Sequence, residues 1–240
     1  MSTPTMTFLG SGNASSKSLG NSCAVFEFGA ARLCIDHGPT AYHAFKAHYG
    51  ELPSAIFITH GHLDHIGGLE NLFFDAYFNK PDKVTLFVPY RLVELLHQRL
   101  ACIDNTLSEG GVNFWDAFNL IPVGRSFWFH GLNFKVFENR HHMPGFSHGL
   151  CLPGVFLFSG DTKPIPEVIL NLASHGEVIF HDLSIAEQPS HTHCKEIEAS
   201  YSANVIERCQ FYHLSTEKDV EHCQAKGWTV VQNEVAIPLG

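Results

Sequence analysis

The run Ala55-Ile56-Phe57-Ile58-Thr59-His60-Gly61-His62-Leu63-Asp64-His65-Ile66-Gly67-Gly68 decides what kind of molecule this is. Its opening apolar residues read as a buried strand, and three histidines and one aspartate follow within six residues. Neutral imidazoles and a carboxylate suit Zn, Fe or Mn, and a tight loop at a strand end lets alternate side chains converge on adjacent metal positions. Gly61 and the Gly67-Gly68 pair give the backbone room to turn into a helix. A solvated turn would have no reason to gather four ligand-type side chains at the mouth of a strand.

Composition frames this motif. The chain has 240 residues, 45% hydrophobic and 16% charged, which is enough to bury a full core and excludes a disordered protein. No linker, charge block or tandem repeat divides it, so the expectation is one domain over residues 1–240. The 24 acidic against 15 basic residues leave a net charge of −9, which argues against an extended nucleic-acid or anionic-membrane surface and favours a small substrate. Residues 1–7 carry no basic stretch leading into an apolar one, and no window is apolar for about 18 residues, so a soluble, cytoplasmic protein with no membrane partner is expected. The seven cysteines form no CxxC pair and make an odd total, which points to reduced, mostly buried thiols. Histidine is the anomaly: 17 residues, more than all lysines and arginines together.

Outward from the motif, short apolar runs predict strands at 6–9, 23–28, 32–35 and 84–88, with helical spacing at 41–49, 69–78 and 91–102. The second half repeats the theme, with strands at 127–129, 132–137, 155–158, 178–180, 211–212 and 229–231 and helices at 166–172, 194–205 and 217–226. Two similar halves are expected. Pro153-Gly154, between apolar runs 149–152 and 155–158, predicts a β-hairpin turn. Residues 103–111 form a long polar connection.

His60-x-His62-x-Asp64-His65 resembles the signature of the metallo-β-lactamase-fold superfamily. Further elements of that superfamily follow in order. Leu9-Gly10-Ser11-Gly12 resembles its opening strand and glycine turn, and Leu33-Cys34-Ile35-Asp36-His37-Gly38 its Asp-x-Gly strand end. Ser159-Gly160-Asp161-Thr162, after an apolar strand, resembles the element whose aspartate bridges two metals. Phe211-Tyr212-His213-Leu214-Ser215 is similar to the strand-ending histidine of ribonuclease Z and its relatives. The resemblance implies an α/β fold, a four-layer αβ/βα sandwich with two central mixed β-sheets flanked by helices. For the remaining histidine ligand the segment 140–149 offers His141, His142 and His148. The lactamase and glyoxalase branches place it directly after Pro-Gly, where Phe146 stands here; the ribonuclease Z branch places it several residues before a Gly-hydrophobic pair, which favours His142 ahead of Gly149-Leu150.

By this resemblance one metal takes His60, His62 and His142, the other takes Asp64, His65 and His213, and Asp161 spans them. Two divalent ions are implied, Zn first, with Mn or Fe open. Such a pair can share a water, lower its pKa to about 7 and stabilise a developing oxyanion. Asp64 could also orient the nucleophile, and Asp36 and Asp182 could accept from ligand imidazole N–H groups. His191-Thr192-His193 resembles the ribonuclease Z loop that supplies a general acid, with His191 the better match and His193 the alternative. The leading expectation is a phosphodiesterase of the ribonuclease Z-like branch acting on a small or cyclic phosphodiester. The alternatives are a lactone or thioester hydrolase of the same fold, a ribonuclease Z-type RNA endonuclease, for which residues 71–99 show no Gly/Pro-rich basic arm, and a diiron redox or sensor protein. A homodimer is implied by resemblance alone. The histidine excess predicts an imidazole-rich rim titrating near pH 6.5.

Overall fold

The computed structural model describes residues 3–79, 82–101 and 111–240; Cys102 and residues 103–110 of the expected polar connection lie outside them. In chain order the elements are β1 (Thr5–Gly10), β2 (Cys23–Phe28), β3 (Ala31–Ile35), α1 (Ala41–Tyr49), β4 (Ala55–Phe57), α2 (Leu63–Ile66), α3 (Leu69–Asn79), β5 (Val84–Pro89), α4 (Val93–Leu100) and β6 (Phe118–Val123). The second half continues with β7 (Ser126–Phe129), β8 (Leu132–Glu138), β9 (His148–Leu152), β10 (Phe156–Phe158), α5 (Pro166–Leu172), β11 (Val178–Asp182), α6 (Cys194–Ser200), α7 (Ala203–Glu207), β12 (Cys209–Tyr212), α8 (Glu217–Ala225), β13 (Thr229–Val230) and β14 (Ala236–Pro238).

Two seven-stranded sheets result, ordered β14-β1-β2-β3-β4-β5-β6 and β13-β12-β11-β10-β9-β8-β7. Each is mixed in the same way. From β14 to β3, and from β7 to β10, neighbours pair antiparallel; from β3 to β6, and from β10 to β13, they pair parallel. The expected two similar halves are therefore present in the topology.

Alternation along the strands builds the layers. In β2 and β3, Val25 pairs with Cys34 on the face toward α1 and α3, while Ala24 pairs with Ile35 on the face toward the other sheet. Aromatics fill the space between the sheets: Phe134 lies 5.6 Å from Phe26, edge to face, and 5.3 Å from Phe127, stacked. A second core sits between the first sheet and α1, α3 and α4, and a third between the second sheet and α5, α6 and α8. The resulting helix-sheet-sheet-helix order is the expected four-layer sandwich.

The differences from expectation have local causes. The helix expected at 194–205 is two helices, because Tyr201 is extended and its hydroxyl is tied to Ile165 N and His181 Nε2, both at 2.7 Å. Strand β6, with Pro122 inside it, was not expected; it is an edge strand, where a missing N–H is tolerated. The hairpin at Pro153-Gly154 is as expected, with Leu152 opposite Phe156 and Gly154 in the left-handed region at φ 78°.

All parallel strands point their C-terminal ends at one edge of the sandwich, so the loops after β3, β4, β10, β11 and β12 gather there. The inter-sheet aromatics are the platform for those loops. Phe134→Ala is expected to lower the unfolding free energy by about 3–5 kcal/mol, measured by urea denaturation; a loss below about 1 kcal/mol would show that this ring does not carry the inter-sheet packing.

Candidate metal centre

Asp36, directly after β3, has φ 61°, Gly160, before Asp161, has φ 63°, and His213, directly after β12, has φ 70°. Left-handed residues at three strand ends turn the chain so that Asp161 and His213 enter the cleft and Asp36 turns in behind it, a strained choice for Asp36 and His213. The fourth strand end, after β4, is pinned differently: Thr59 N and Oγ1 donate to the Asp36 carboxylate at 2.8 and 2.6 Å, and His60 bridges to Ser147. His62 then stands extended at the start of α2, so Asp64 and His65 fall in its first turn. Gly68 lets the joint between α2 and α3 sit on the preceding turn, since a Cβ there would lie 2.2 Å from Gly38 O.

Among the described residues three groups of ligand atoms meet in this cleft, the atoms of each within 4.8 Å of one another: a first of His60, His62, His141 and Asp161, a second of Asp64, His65, Asp161 and His213, and a further one of Asp161, Asp182, His191 and His213 that overlaps the second. In the first, His62 Nδ1 lies 3.0 Å from His60 Nε2 and 3.1 Å from His141 Nε2. In the second, Asp64 Oδ2 lies 3.6 Å from His65 Nε2 and 3.4 Å from His213 Nε2. Asp161 Oδ2 belongs to both, at 3.2 Å from His65, 3.3 Å from His213, 3.7 Å from His60 and 3.8 Å from His141.

The structure departs from expectation at the third histidine. His141 Nε2, not His142, stands in the first group, its Nδ1 held 2.9 Å from Ser190 O. His142 is further out: its Nε2 lies 3.0 Å from His62 Nε2, the nitrogen that faces away from the group. Spacing before Gly149 could not separate adjacent residues whose side chains leave the backbone in different directions. His148 is in neither group; its backbone N donates to Thr59 O at 3.0 Å.

The surrounding carboxylates orient the imidazoles. His65 Nδ1 lies 2.7 Å from Asp36 Oδ2, and Asp182 stands 3.4 Å from His213 Nδ1 and 2.9 Å from His191 Nδ1. His191 lines a cleft of about 550 Å³ with Asp64, Asp161, His213, Arg99 and Gln188. His193 is instead the capping residue of α6, its ring accepting from Lys195 N at 3.3 Å. Thr59 and Arg99, whose guanidinium donates to Gly61 O, carry no sequence signal that would single them out.

Charge is distributed unevenly, so the imidazoles do not titrate together near pH 6.5. Burial pushes His60 well below its usual range, and burial with His141 and His142 nearby brings His62 to about 4. Burial would lower His65 and His213 too, but Asp161 foremost, with Asp36 for His65 and Asp182 and Asp64 for His213, lifts His65 well above its usual range and His213 to about 10. Asp161, despite burial that would raise it, is held well below the carboxylate range by His213 and His65.

The donor set fits divalent metal ions. Bonds of 2.0–2.1 Å put neighbouring nitrogen ligands about 3.0–3.4 Å apart, which matches the spacings around His62. Asp161 Oδ1 is buried without a hydrogen-bond partner, a costly state that a bound cation relieves.

A family model described as anti-Pycsar protein Apyc1 matches residues 4–236. The chain belongs to the Apyc1 family. The Apyc1 protein of Paenibacillus harenae is 30% identical over 193 residues, covering 77% of this chain and 78% of that protein. The Apyc1 protein of Bacillus phage vB_BveM-Goe7 is 35% identical over 239 residues, covering 88% and 87%. The metallo-β-lactamase fold protein YhfI of Bacillus subtilis superposes with a TM-score of 0.72 over all of both chains at 13% identity, which shows the shared fold. This Apyc1-family chain thus has the metallo-β-lactamase fold. No described helix is long and apolar enough to cross a membrane.

In the metal-free protein, raised imidazoles hold protons that a divalent ion must displace. Titrating Zn²⁺ into chelator-stripped protein at pH 7.5 is expected to release about two protons per chain, read by calorimetry in buffers of different ionisation enthalpy, with affinity rising with pH. The stripped protein also has a sign of its own: His213, raised to about 10, contributes stability that is complete below its ordinary value of 6.5 and is lost as pH climbs to 10. Proton-neutral binding would show that His65 and His213 do not face the ions.

Proposed function

We propose that this Apyc1-family chain is a dinuclear metal phosphodiesterase acting on a small or cyclic phosphodiester, with a cyclic nucleotide as the substrate class. The observation that carries the reading is Asp161 Oδ2 standing within 3.8 Å of imidazole nitrogens from both ligand groups. His60, His62 and His141 would hold one ion, Asp64, His65 and His213 the other, with Asp161 between them and Zn the first choice. Family membership supports the cyclic nucleotide; the curated relatives are named anti-Pycsar proteins. The net charge of −9 and the cleft of about 550 Å³ support a small anion over a long nucleic acid.

When bound, the ions supply an activated water and positive charge for the phosphoryl oxygens. The residues do the rest. Asp36 fixes the ring plane of His65 from behind and, through Thr59, reaches His60, whose Nδ1 lies 3.0 Å from Thr59 Oγ1. His142 fixes the outward nitrogen of His62. Asp64, on the cleft, is placed to orient the attacking water. Arg99 gives the cleft wall a cation for the substrate anion. His191 is the proton donor to the leaving oxygen: burial would lower it, but its hydrogen bond to Asp182 holds it above its usual range, which favours the protonated ring.

His191→Ala is expected to cut turnover of a cyclic nucleotide by about 10²–10⁴-fold, while turnover of bis-p-nitrophenyl phosphate, whose nitrophenolate leaves without help, falls less than tenfold. Equal losses on both would remove His191 as the acid. For the ligand assignment, His141→Ala is expected to lose about one equivalent of metal by elemental analysis; His142→Ala is expected to retain both ions and lower affinity by about 10–100-fold. The reverse pattern would restore His142 as ligand. Activity on a lactone but not on any phosphodiester would overturn the phosphodiesterase reading.

A further inference from the structure

We propose that Cys23, Cys34 and His37 form a separate, buried site for one soft or borderline metal ion, Zn²⁺ or Cu⁺, structural in role. The three side chains offer ligand atoms all within 4.8 Å of one another, and each residue is 1% exposed or less. Val25 pairs with Cys34, and Cys23 lies two residues along from Val25, so both thiols leave the helix-facing side of the first sheet. Their sulfurs are 3.5 Å apart. Two thiolates bound at about 2.3 Å to a tetrahedral ion sit about 3.8 Å apart, so little movement is needed.

The independent observation is His37. Its ring is fully buried, and neither Nδ1 nor Nε2 has a hydrogen-bond partner. A neutral imidazole in that state leaves one donor and one acceptor unsatisfied, a cost of about 1–3 kcal/mol for each buried polar group. An ion bound through one nitrogen removes the acceptor cost. The backbone keeps the ring in place, since His37 N donates to His65 O at 2.7 Å and His37 O accepts from Gly68 N at 2.9 Å.

The chemistry of the set favours a soft ion. Two thiolates and a neutral imidazole around Zn²⁺ make a complex of zero net charge, which an apolar core can enclose without an uncompensated charge. Loading is a proton exchange: two S–H bonds break, two metal–sulfur bonds form, and two protons leave to the buffer. No electron moves. The ion would tie β2 and β3 to the turn after β3, the turn whose Asp36 holds His65 and Thr59. It shares no ligand with the His and Asp groups, so the proposal stands apart from the proposed reaction.

The test uses the full chain produced with Co²⁺ in place of Zn²⁺. Histidine and aspartate give Co²⁺ no thiolate charge-transfer band, so a near-ultraviolet band reports sulfur ligation alone. The expected result is such a band, with about one metal equivalent more than the His and Asp groups account for. The band is expected to persist in Asp161→Asn, to shift in His37→Gln, and to vanish in the Cys23→Ala/Cys34→Ala double variant with loss of that equivalent, folding being checked by circular dichroism. Should the double variant not fold, X-ray absorption of the Zn²⁺-loaded wild type must show a sulfur shell at about 2.3 Å. Absence of the band and shell, or a band unchanged in either the His37 or the folded double-cysteine variant, overturns the site.

Discussion

One carboxylate oxygen, Oδ2 of Asp161, reaches imidazoles contributed by both sheets, and the rest of the cleft is arranged around that convergence. A buried carboxylate among buried rings is favourable only while positive charge stands between them. Without an ion, protons on His65 and His213 supply it; with ions, the metals do. The constraint therefore operates in both states, and it explains why the imidazoles divide into a proton-poor set, His60 and His62, and a proton-rich set, His65 and His213. The division follows distance to carboxylates, since Asp36, Asp64 and Asp182 all lie on the proton-rich side.

The two halves contribute unequally to an arrangement that begins symmetric. β3 and β10 hold the same place in their sheets, each the last of an antiparallel series and the first of a parallel one, and each is followed by an aspartate. In the first half that aspartate, Asp36, turns behind the cluster and fixes other side chains through hydrogen bonds. In the second half Asp161 enters the cluster itself. Asp182, one strand further on, serves three partners at once: Thr162 N, His191 and His213. Two copies of one supersecondary plan thus divide the work of holding ligands and of aiming them.

Much of this was legible from the chain because the informative residues sit beside strong local signals. The strand before His60, the hairpin at Pro153-Gly154 and the aspartate after 155–158 each combine an apolar run with a Gly or Pro stop, and all appear in the structure where expected. What could not be read depends on directions and partners. His141 and His142 are adjacent and chemically identical, and only the path of residues 139–148 decides which ring turns inward. Strand β14 is three residues long and becomes a strand only by pairing with β1. Tyr201 interrupts a helical pattern because of Ile165 and His181, residues distant in sequence. The single titration range read from the histidine count does not hold for the ligand rings, because burial lowers His60 and His62 while carboxylates raise His65 and His213.

The pairing of β14 with β1 has a consequence for how the chain is made. Met6 lies opposite Ile237, so the outer side of β1 keeps its N–H and C=O groups without their β14 partners until residues 236–238 have left the ribosome. His213 belongs to the same late event, since its N donates to Ser11 O across the molecule at 2.7 Å. The cleft therefore cannot be assembled by an N-terminal half waiting in finished form. Nascent chains pass through a stage in which one sheet has an open edge, and slow, long-range closure is what ends it.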